Sequence, residues 1–486
     1  MALVFVQLPF KFSSADKPLF WLLLSLLLWI PIPLGSNRPW AWTTLEILAY
    51  LLLAAWLILF AFGKVKIPEA ASKAWPALLL LLFWLMLQLL HVVPLNPALV
   101  ELISPQAARL HASTSAVGIV SLEATLSIDP HTSEGSLLKS VAYCGTFLLV
   151  LLLINNRTRV ETFARWLVYA AVVHSIYAVL MHTANIDDEL FGTMINHGDS
   201  ASGTYANRNH FAGYLEMMLA LGIGLLIAGL SDRRADSWKR FVKHLIEWIL
   251  SPKMLLRLAL CILVIALTTT HSRMGNTGFF ASLLIAGMIG IALSRRATRN
   301  TVILLASLVA IDLLIVGSWF GVEKLAQRLE QTTQEDVRIR EEPASYTRAM
   351  IADYPLVGTG PGTFYVAFPK YRPETIVNFF DYAHNDYAQF TAESGVIGIG
   401  ILGLFVISCL VAALRAHATR RDPLMRGMSF ACFMGVTAML IHAWVEFNFQ
   451  IPANAMYFMV LAALGWISLN LDRHGVPGMA NVRVER

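Results

Sequence analysis

The sequence predicts an all-α, polytopic membrane protein of about twelve transmembrane helices, with a partly helical extracytoplasmic loop between the ninth and tenth. Three observations predict it. Only 14% of the 486 residues are charged and 57% are hydrophobic, whereas soluble domains carry about 25% charged residues. Apolar runs long enough to cross a hydrocarbon core recur along the chain, at mean hydropathy +0.61. The basic residues are concentrated in alternate inter-helix segments.

The apolar runs place helices at 19–34, 45–63, 75–93, 137–154, 166–181, 211–230, 254–270, 278–293, 302–320, 395–414, 428–445 and 455–471. The first run passes into Pro31 and Pro33 without a small-residue cleavage site, so it reads as a retained helix. Cys144, Cys261, Cys409 and Cys432 each lie inside an apolar run and read as small hydrophobes, with no disulfide and no cysteine metal site expected.

A cytoplasmic N-terminus puts 25 of the 37 Lys and Arg residues on the cytoplasmic side. The short outer loops then hold only Arg38, Arg109, Lys139, Arg208 and Arg273. By the positive-inside rule both termini are cytoplasmic. The net charge of +5 is thereby explained as a topology signal, and no nucleic-acid partner is expected. The basic stretch at 233–243 faces anionic lipid on this reading.

The whole chain, 1–486, reads as a single integral membrane domain with two large outer segments, 94–136 and 321–394. In the second, Val322, Leu325 and Leu329 have helical spacing, Glu and Arg alternate after them, and Gly358, Gly360 and Gly362 end any helix. That glycine string follows no strand, which argues against a nucleotide-phosphate loop. A mixed loop of this length is the expected seat of function.

Sorted by topology, a few residues stand out on the outer face. Arg208 opens the sixth helix in Tyr205-Ala206-Asn207-Arg208-Asn209-His210-Phe211. Arg273 lies in a short outer turn, and His384 stands before the tenth helix in Asp381-Tyr382-Ala383-His384-Asn385-Asp386-Tyr387. Two guanidiniums suit a lipid-linked phosphate or diphosphate, since each presents a planar fork of donors. A histidine beside them can take a proton at neutral pH. The plainer readings are headgroup anchors for the arginines and a surface residue for the histidine. Asp312 and Glu446 lie in or near membrane runs, where an acid is a functional suspect or a paired interface residue.

The chain resembles the O-antigen ligase and Wzy-type polymerase superfamily of bacterial envelope enzymes. The likeness spans 201–398 and rests on three blocks: Asn207 to Leu215; Ser272-Arg273; and Tyr354 to Phe364 with Phe368-Pro369-Lys370-Tyr371, Ala383 to Tyr387 and Glu393-Ser394-Gly395. It implies an inverting glycan transfer from undecaprenyl diphosphate to an acceptor hydroxyl at the periplasmic face of the inner membrane, with no metal, cofactor or nucleotide sugar. It implies His384 as base and Arg208 and Arg273 at the diphosphate. Asn209, His210, Tyr371, Arg372 and Asn385 are implied as contacts to diphosphate or glycan. Arg340 matches the arginine ahead of the Pro-x-x-Gly-x-Gly block, but the aromatic that commonly follows four positions on is here Ala344.

The partners implied are the lipid-diphosphate glycan, membrane lipids, and a lipid or glycan acceptor with a free hydroxyl. Lipid A-core is the ligase acceptor; a growing glycan or a protein hydroxyl are the alternatives. Two other classes compete: a lipid-linked glycan flippase, which internal repeats would favour, and a metal-using polymerase built on Asp386 or Asp381.

Overall fold

The computed structural model describes residues 15–116, 124–196, 198, 200–229, 252–293, 334–374 and 379–471. The helix expected at 302–320 and the amphipathic stretch at Val322–Leu329 lie outside them. The regular secondary structure of the described residues is helical except for one short antiparallel hairpin, β1 Asp188–Leu190 with β2 Thr193–Ile195. Nine described helices are long and apolar enough to cross a membrane. They are α2 Pro39–Ala61, α4 Trp75–Val92, α7 Pro130–Leu153, α8 Arg157–Ala184, α9 Arg208–Ala228, α11 Arg273–Leu293, α14 Asp386–Thr419, α15 Pro423–His442 and α16 Pro452–Asn470. Two shorter apolar helices, α1 Lys17–Trp29 and α10 Pro252–Thr269, accompany them.

Local chemistry sets the helix ends, and several fall outside the apolar runs. α1 stops at Trp29 because Pro31 and Pro33 have no N–H to donate, and a 3-10 turn, Leu34–Ser36, follows. α7 begins seven residues before the apolar run: Asp129 caps it by accepting from Thr132 N, and Pro130 occupies the first position. Asn156 and Asn207 cap α8 and α9 in the same way. Hydropathy reports the lipid-facing length of a helix and is blind to these polar first turns.

The core is a three-helix centre. In the most apolar window of each helix, 94% of residues are buried in α16, 89% in α9 and 72% in α15, against 28% in α2 and α14. Burial does not follow hydropathy: α15 and α16 are less apolar than α2 and α14, while α9 is as apolar as α4 and α7. Glycines let the central backbones meet: a Cβ on Gly427 of α15 would lie 2.1 Å from the Gly224 carbonyl oxygen of α9. Without a hydrophobic force between helices in lipid, such close packing is what holds them together.

The described part of the segment 94–136 holds α5 Pro97–Ile103 and α6 Pro105–Ala116, and a short α3, Glu69–Lys73, lies upstream of α4. Downstream lie α12 Gln334–Asp353 and the single turn α13 Phe364–Ala367.

Candidate functional site

The glycine string and the start of α14 form one clamp. α14 breaks at Gly395, φ +64°, which frees backbone groups there. The turn at 355–360 fills the break. Val396 N donates to Pro355 O at 2.9 Å, Thr359 N to Ala392 O at 3.0 Å and Gly360 N to Glu393 O at 2.9 Å. The Glu393 carboxylate accepts from the Gly362 and Phe364 amides at 3.0 and 3.2 Å. Gly358 has φ +78°, and a Cβ there would lie 2.2 Å from Glu393 C, so only glycine fits. The 124–136 segment joins in: Ile128 N donates to Thr359 O at 2.9 Å and Ser133 Oγ to Pro361 O at 3.0 Å.

Gln389 carries this clamp back to the start of α14: its Nε2 donates to Glu393 Oε1 at 3.2 Å and its Oε1 accepts from Ala383 N, beside His384, at 3.0 Å. Asn385 caps the helix by accepting from Ala388 N at 3.0 Å, and Asp386 N donates to Ala443 O at 2.9 Å. His384 itself adopts φ +51°, a strained conformation for a non-glycine residue. Its Nδ1 lies 3.2 Å from Glu446 Oε1. The carboxylate is 2% exposed and the imidazole 26%. Asn209 Nδ2 donates to the other oxygen, Glu446 Oε2, at 2.5 Å. His210 Nε2 stands 3.9 Å from Glu446 Oε1 and has no hydrogen bond among the described residues.

Glu446 is thus the hub that ties α9 to the loop before α14. Burial pushes its carboxyl up, but the His384 hydrogen bond and the charges of His210, His384 and His442 outweigh that and hold it down at about 2. An ionised Glu446 draws the imidazole proton to Nδ1. That leaves Nε2 as the lone-pair nitrogen on the exposed side. Phe447 backs the pair, its ring 4.8 Å from His384 and 4.6 Å from His210, with Tyr382 stacked on it at 4.4 Å.

Arg208 and Arg273 are the first residues of α9 and α11. Arg208 is half-buried and adjoins Asn209; Arg273 is exposed. The two helix starts abut, since a Cβ on Gly275 would lie 2.5 Å from the Ala212 Cβ, one turn below Arg208. Helix N-termini carry partial positive charge, so two of them, each bearing an arginine, favour an anion between them.

The structure therefore gathers His384, Asn209 and His210 around Glu446, with Arg208 next in chain and Arg273 at the neighbouring helix start. Asn385 is close by as the cap of α14. Tyr371 is turned elsewhere: its hydroxyl donates to Asp353 Oδ2 at 2.7 Å, beside Lys370 Nζ at 3.0 Å from the same oxygen. Arg372 follows it on that loop. Arg340 lies on α12, its side chain outside the described residues.

Residues 258–403 match the family described as O-antigen ligase. That segment of the chain is similar to the O-antigen ligase family. No curated protein matches the chain. The matched O-antigen ligase segment contains Arg273, the clamp and His384. It begins after the Asn207 to Leu215 block and ends before Glu446, so Glu446, Phe447, Asn209 and His210 beside His384 come from outside it. The chain's long apolar helices are those of a multi-pass membrane protein.

Glu446 is the residue that sequence reasoning left without a role. Its signal was an acid beside a membrane run, and nothing local named His384, 62 positions away, as its partner.

Proposed function

We propose that the protein is an inverting glycosyltransferase of the ligase type. It moves a glycan from undecaprenyl diphosphate to an acceptor hydroxyl, that of lipid A-core, on the periplasmic face of the inner membrane. The observation that carries this reading is the His384–Glu446–Asn209 arrangement, which joins the first and third sequence blocks beside the two arginine-bearing helix starts.

In this reading His384 Nε2 takes the proton of the acceptor hydroxyl. The oxygen attacks the anomeric carbon from the face opposite the diphosphate. The carbon–oxygen bond to phosphorus breaks, and undecaprenyl diphosphate leaves with the electron pair. Arg208 and Arg273 meet the charge that develops on it. Glu446 stabilises the imidazolium and fixes the ring, which makes it a positioning residue. The two guanidiniums do the work a metal would otherwise do, so the reaction is proposed to be metal-independent, with no cofactor. The metal-using alternative is less well supported, because Asp386 is 1% exposed and one of its oxygens accepts from Phe449 N at 3.1 Å.

The test uses the purified full chain in nanodiscs with an undecaprenyl-diphosphate glycan and lipid A-core. The parent forms a glycosidic bond with or without chelator, and His384→Ala loses about 10²- to 10⁴-fold in rate. Normal turnover by His384→Ala refutes the base, and chelator-sensitive turnover favours the carboxylate mechanism. Product only when a second lipid-linked glycan or a protein replaces lipid A-core would reassign the acceptor. No new bond with any acceptor would favour a flippase.

A further inference from the structure

A cavity of about 280 Å³ opens where four helices end together, and glycosyl transfer at His384 makes no use of it. Asp16, Lys64, Lys66, Glu69, Asn155 and Leu471 are on its lining. Asp16 precedes α1, Lys64 follows the end of α2, Asn155 follows α7 and Leu471 follows α16.

The same helices reach the His384 site at their other ends. α1 leads to the Leu34–Ser36 turn, where a Cβ on Gly35 would lie 2.6 Å from the Tyr205 ring, three residues before Arg208. α7 starts beside the clamp, since Ile128 N donates to Thr359 O at 2.9 Å. α16 begins at Pro452, shortly after Glu446. Its 19 residues span roughly 28 Å at about 1.5 Å each. The cavity is therefore at the opposite membrane surface, which is the cytoplasmic one on the positive-inside reading.

Its back wall is built. Asp16 is 3% exposed and accepts from Arg159 through both carboxylate oxygens, at 2.8 and 2.9 Å. Asn155 Nδ2 donates to the same carboxylate at 3.3 Å, and Arg159 also donates to Leu153 O at 2.7 Å. The Asp16 charge is thus answered inside the protein, and the pair holds the start of α1 on the α7–α8 turn. The rim is tied as well: Lys64 N donates to Leu59 O at 2.9 Å and Ala71 N to Pro68 O at 3.1 Å.

The remaining charges on the lining are of both signs, the ammoniums of Lys64 and Lys66 and the carboxylate of Glu69. Either lysine alone reads as a topology determinant. Walled into one cavity with Glu69, they suit a ligand that carries a phosphate and an ammonium together; a purely anionic ligand would meet the lysines but set its phosphate against Glu69. The volume falls just below the usual range for small-molecule pockets, about 300–1,000 Å³. It has room for a headgroup and not for acyl chains. Beside it, Phe62, Ile67 and Trp75 are 75%, 52% and 63% exposed. Tryptophan at a helix start marks the headgroup level of a bilayer, and these side chains offer acyl chains an apolar surface.

We propose that this cavity binds the phosphoethanolamine headgroup of a membrane phospholipid. The phosphate lies at Lys64 and Lys66, and the ammonium at Glu69. The inference is independent of the glycosyltransferase reading.

The test is native mass spectrometry of the delipidated full chain, titrated with phosphatidylethanolamine or with phosphatidylglycerol of the same acyl chains. Expected is one retained phosphatidylethanolamine, held about fivefold or more tightly than phosphatidylglycerol. Lys64→Met with Lys66→Met should weaken it about tenfold or more, and Glu69→Gln should abolish the preference between the two lipids. Lys73→Met, in the same segment but off the lining, should behave as the parent. Equal or tighter binding of phosphatidylglycerol by the parent overturns the headgroup. Parental binding by the double variant, or an equal loss in Lys73→Met, overturns the site. Soluble glycerophosphoethanolamine separates the sources: displacement of the lipid at matching concentration would make a free phosphodiester the ligand and overturn the lipid assignment. Melting in detergent gives a second reading, since phosphatidylethanolamine should raise the melting temperature of the parent and not that of the double variant. If the double variant does not fold, the lipid preference of Glu69→Gln decides the question: a parental preference overturns the site.

Discussion

At the residue scale, the chemistry turns on one buried carboxylate. Glu446 holds His384 through Oε1 and is held by Asn209 through Oε2. Glu446→Gln keeps the shape and removes the charge, so the imidazolium loses its partner. A fall of about 10²-fold in kcat, with KM little changed, is expected from steady-state assays. The same carboxylate links stability to pH. Its folded value, about 2, lies below the ordinary 4.5, so its contribution is complete above pH 4.5 and is lost as pH falls from 4.5 towards 2. Thermal unfolding of the parent and Glu446→Gln should differ most at neutral pH and converge near pH 2. A gap that stays constant would show that Glu446 is not the titrating group. Arg208→Lys keeps a charge but loses the fork, and about 10²-fold loss in kcat is expected; a near-parental rate would remove Arg208 from the diphosphate.

At the element scale, the break in α14 is what aims His384. Gly358 and Gly395 occupy positive φ and each lies against backbone atoms at 2.2 Å from an added Cβ. Alanine at either position meets both backbone strain and overlap, for a loss of about 2–5 kcal/mol by chemical denaturation in detergent. Gly400, further along the same helix, faces nothing within 4 Å. Gly400→Ala is expected to be neutral or stabilising by up to about 1 kcal/mol. Equal effects at Gly395 and Gly400 would mean the clamp does not constrain the helix. The string at Gly358–Gly362 was readable as a helix stop from composition alone. Its partner was not, because Gly358 and Glu393 meet only once the chain folds back on α14.

At the scale of the whole molecule, the site depends on how the central helices meet. Asn209 lies in the first turn of α9, and Glu446 follows the end of α15. Those helices touch backbone to backbone at Gly224 and Gly427. Gly427→Val therefore forces apart both the core and the hub above it. Melting in detergent should fall by several degrees and activity should fall with it. Leu404→Ala, on the exposed face of α14, should leave both near the parental values. Loss of stability without loss of activity in Gly427→Val would show that the site does not need this contact.

The sequence by itself determined the class of fold and most of its spans, because an apolar run of membrane length is a local property that each segment carries alone. It also determined which polar residues were conspicuous, since a lipid-facing chain has few to spare. The starts of α7, α8 and α9 escaped it only where polar caps extend a helix past its apolar run. The tertiary structure decided which helices are central, because small and polar residues, rather than hydropathy, select the interior of a membrane bundle. It also decided that His384 answers to Glu446. That pairing spans 62 positions, and its link to Asn209 spans 237; only the packing of α9 against α15 brings those residues within reach of one another.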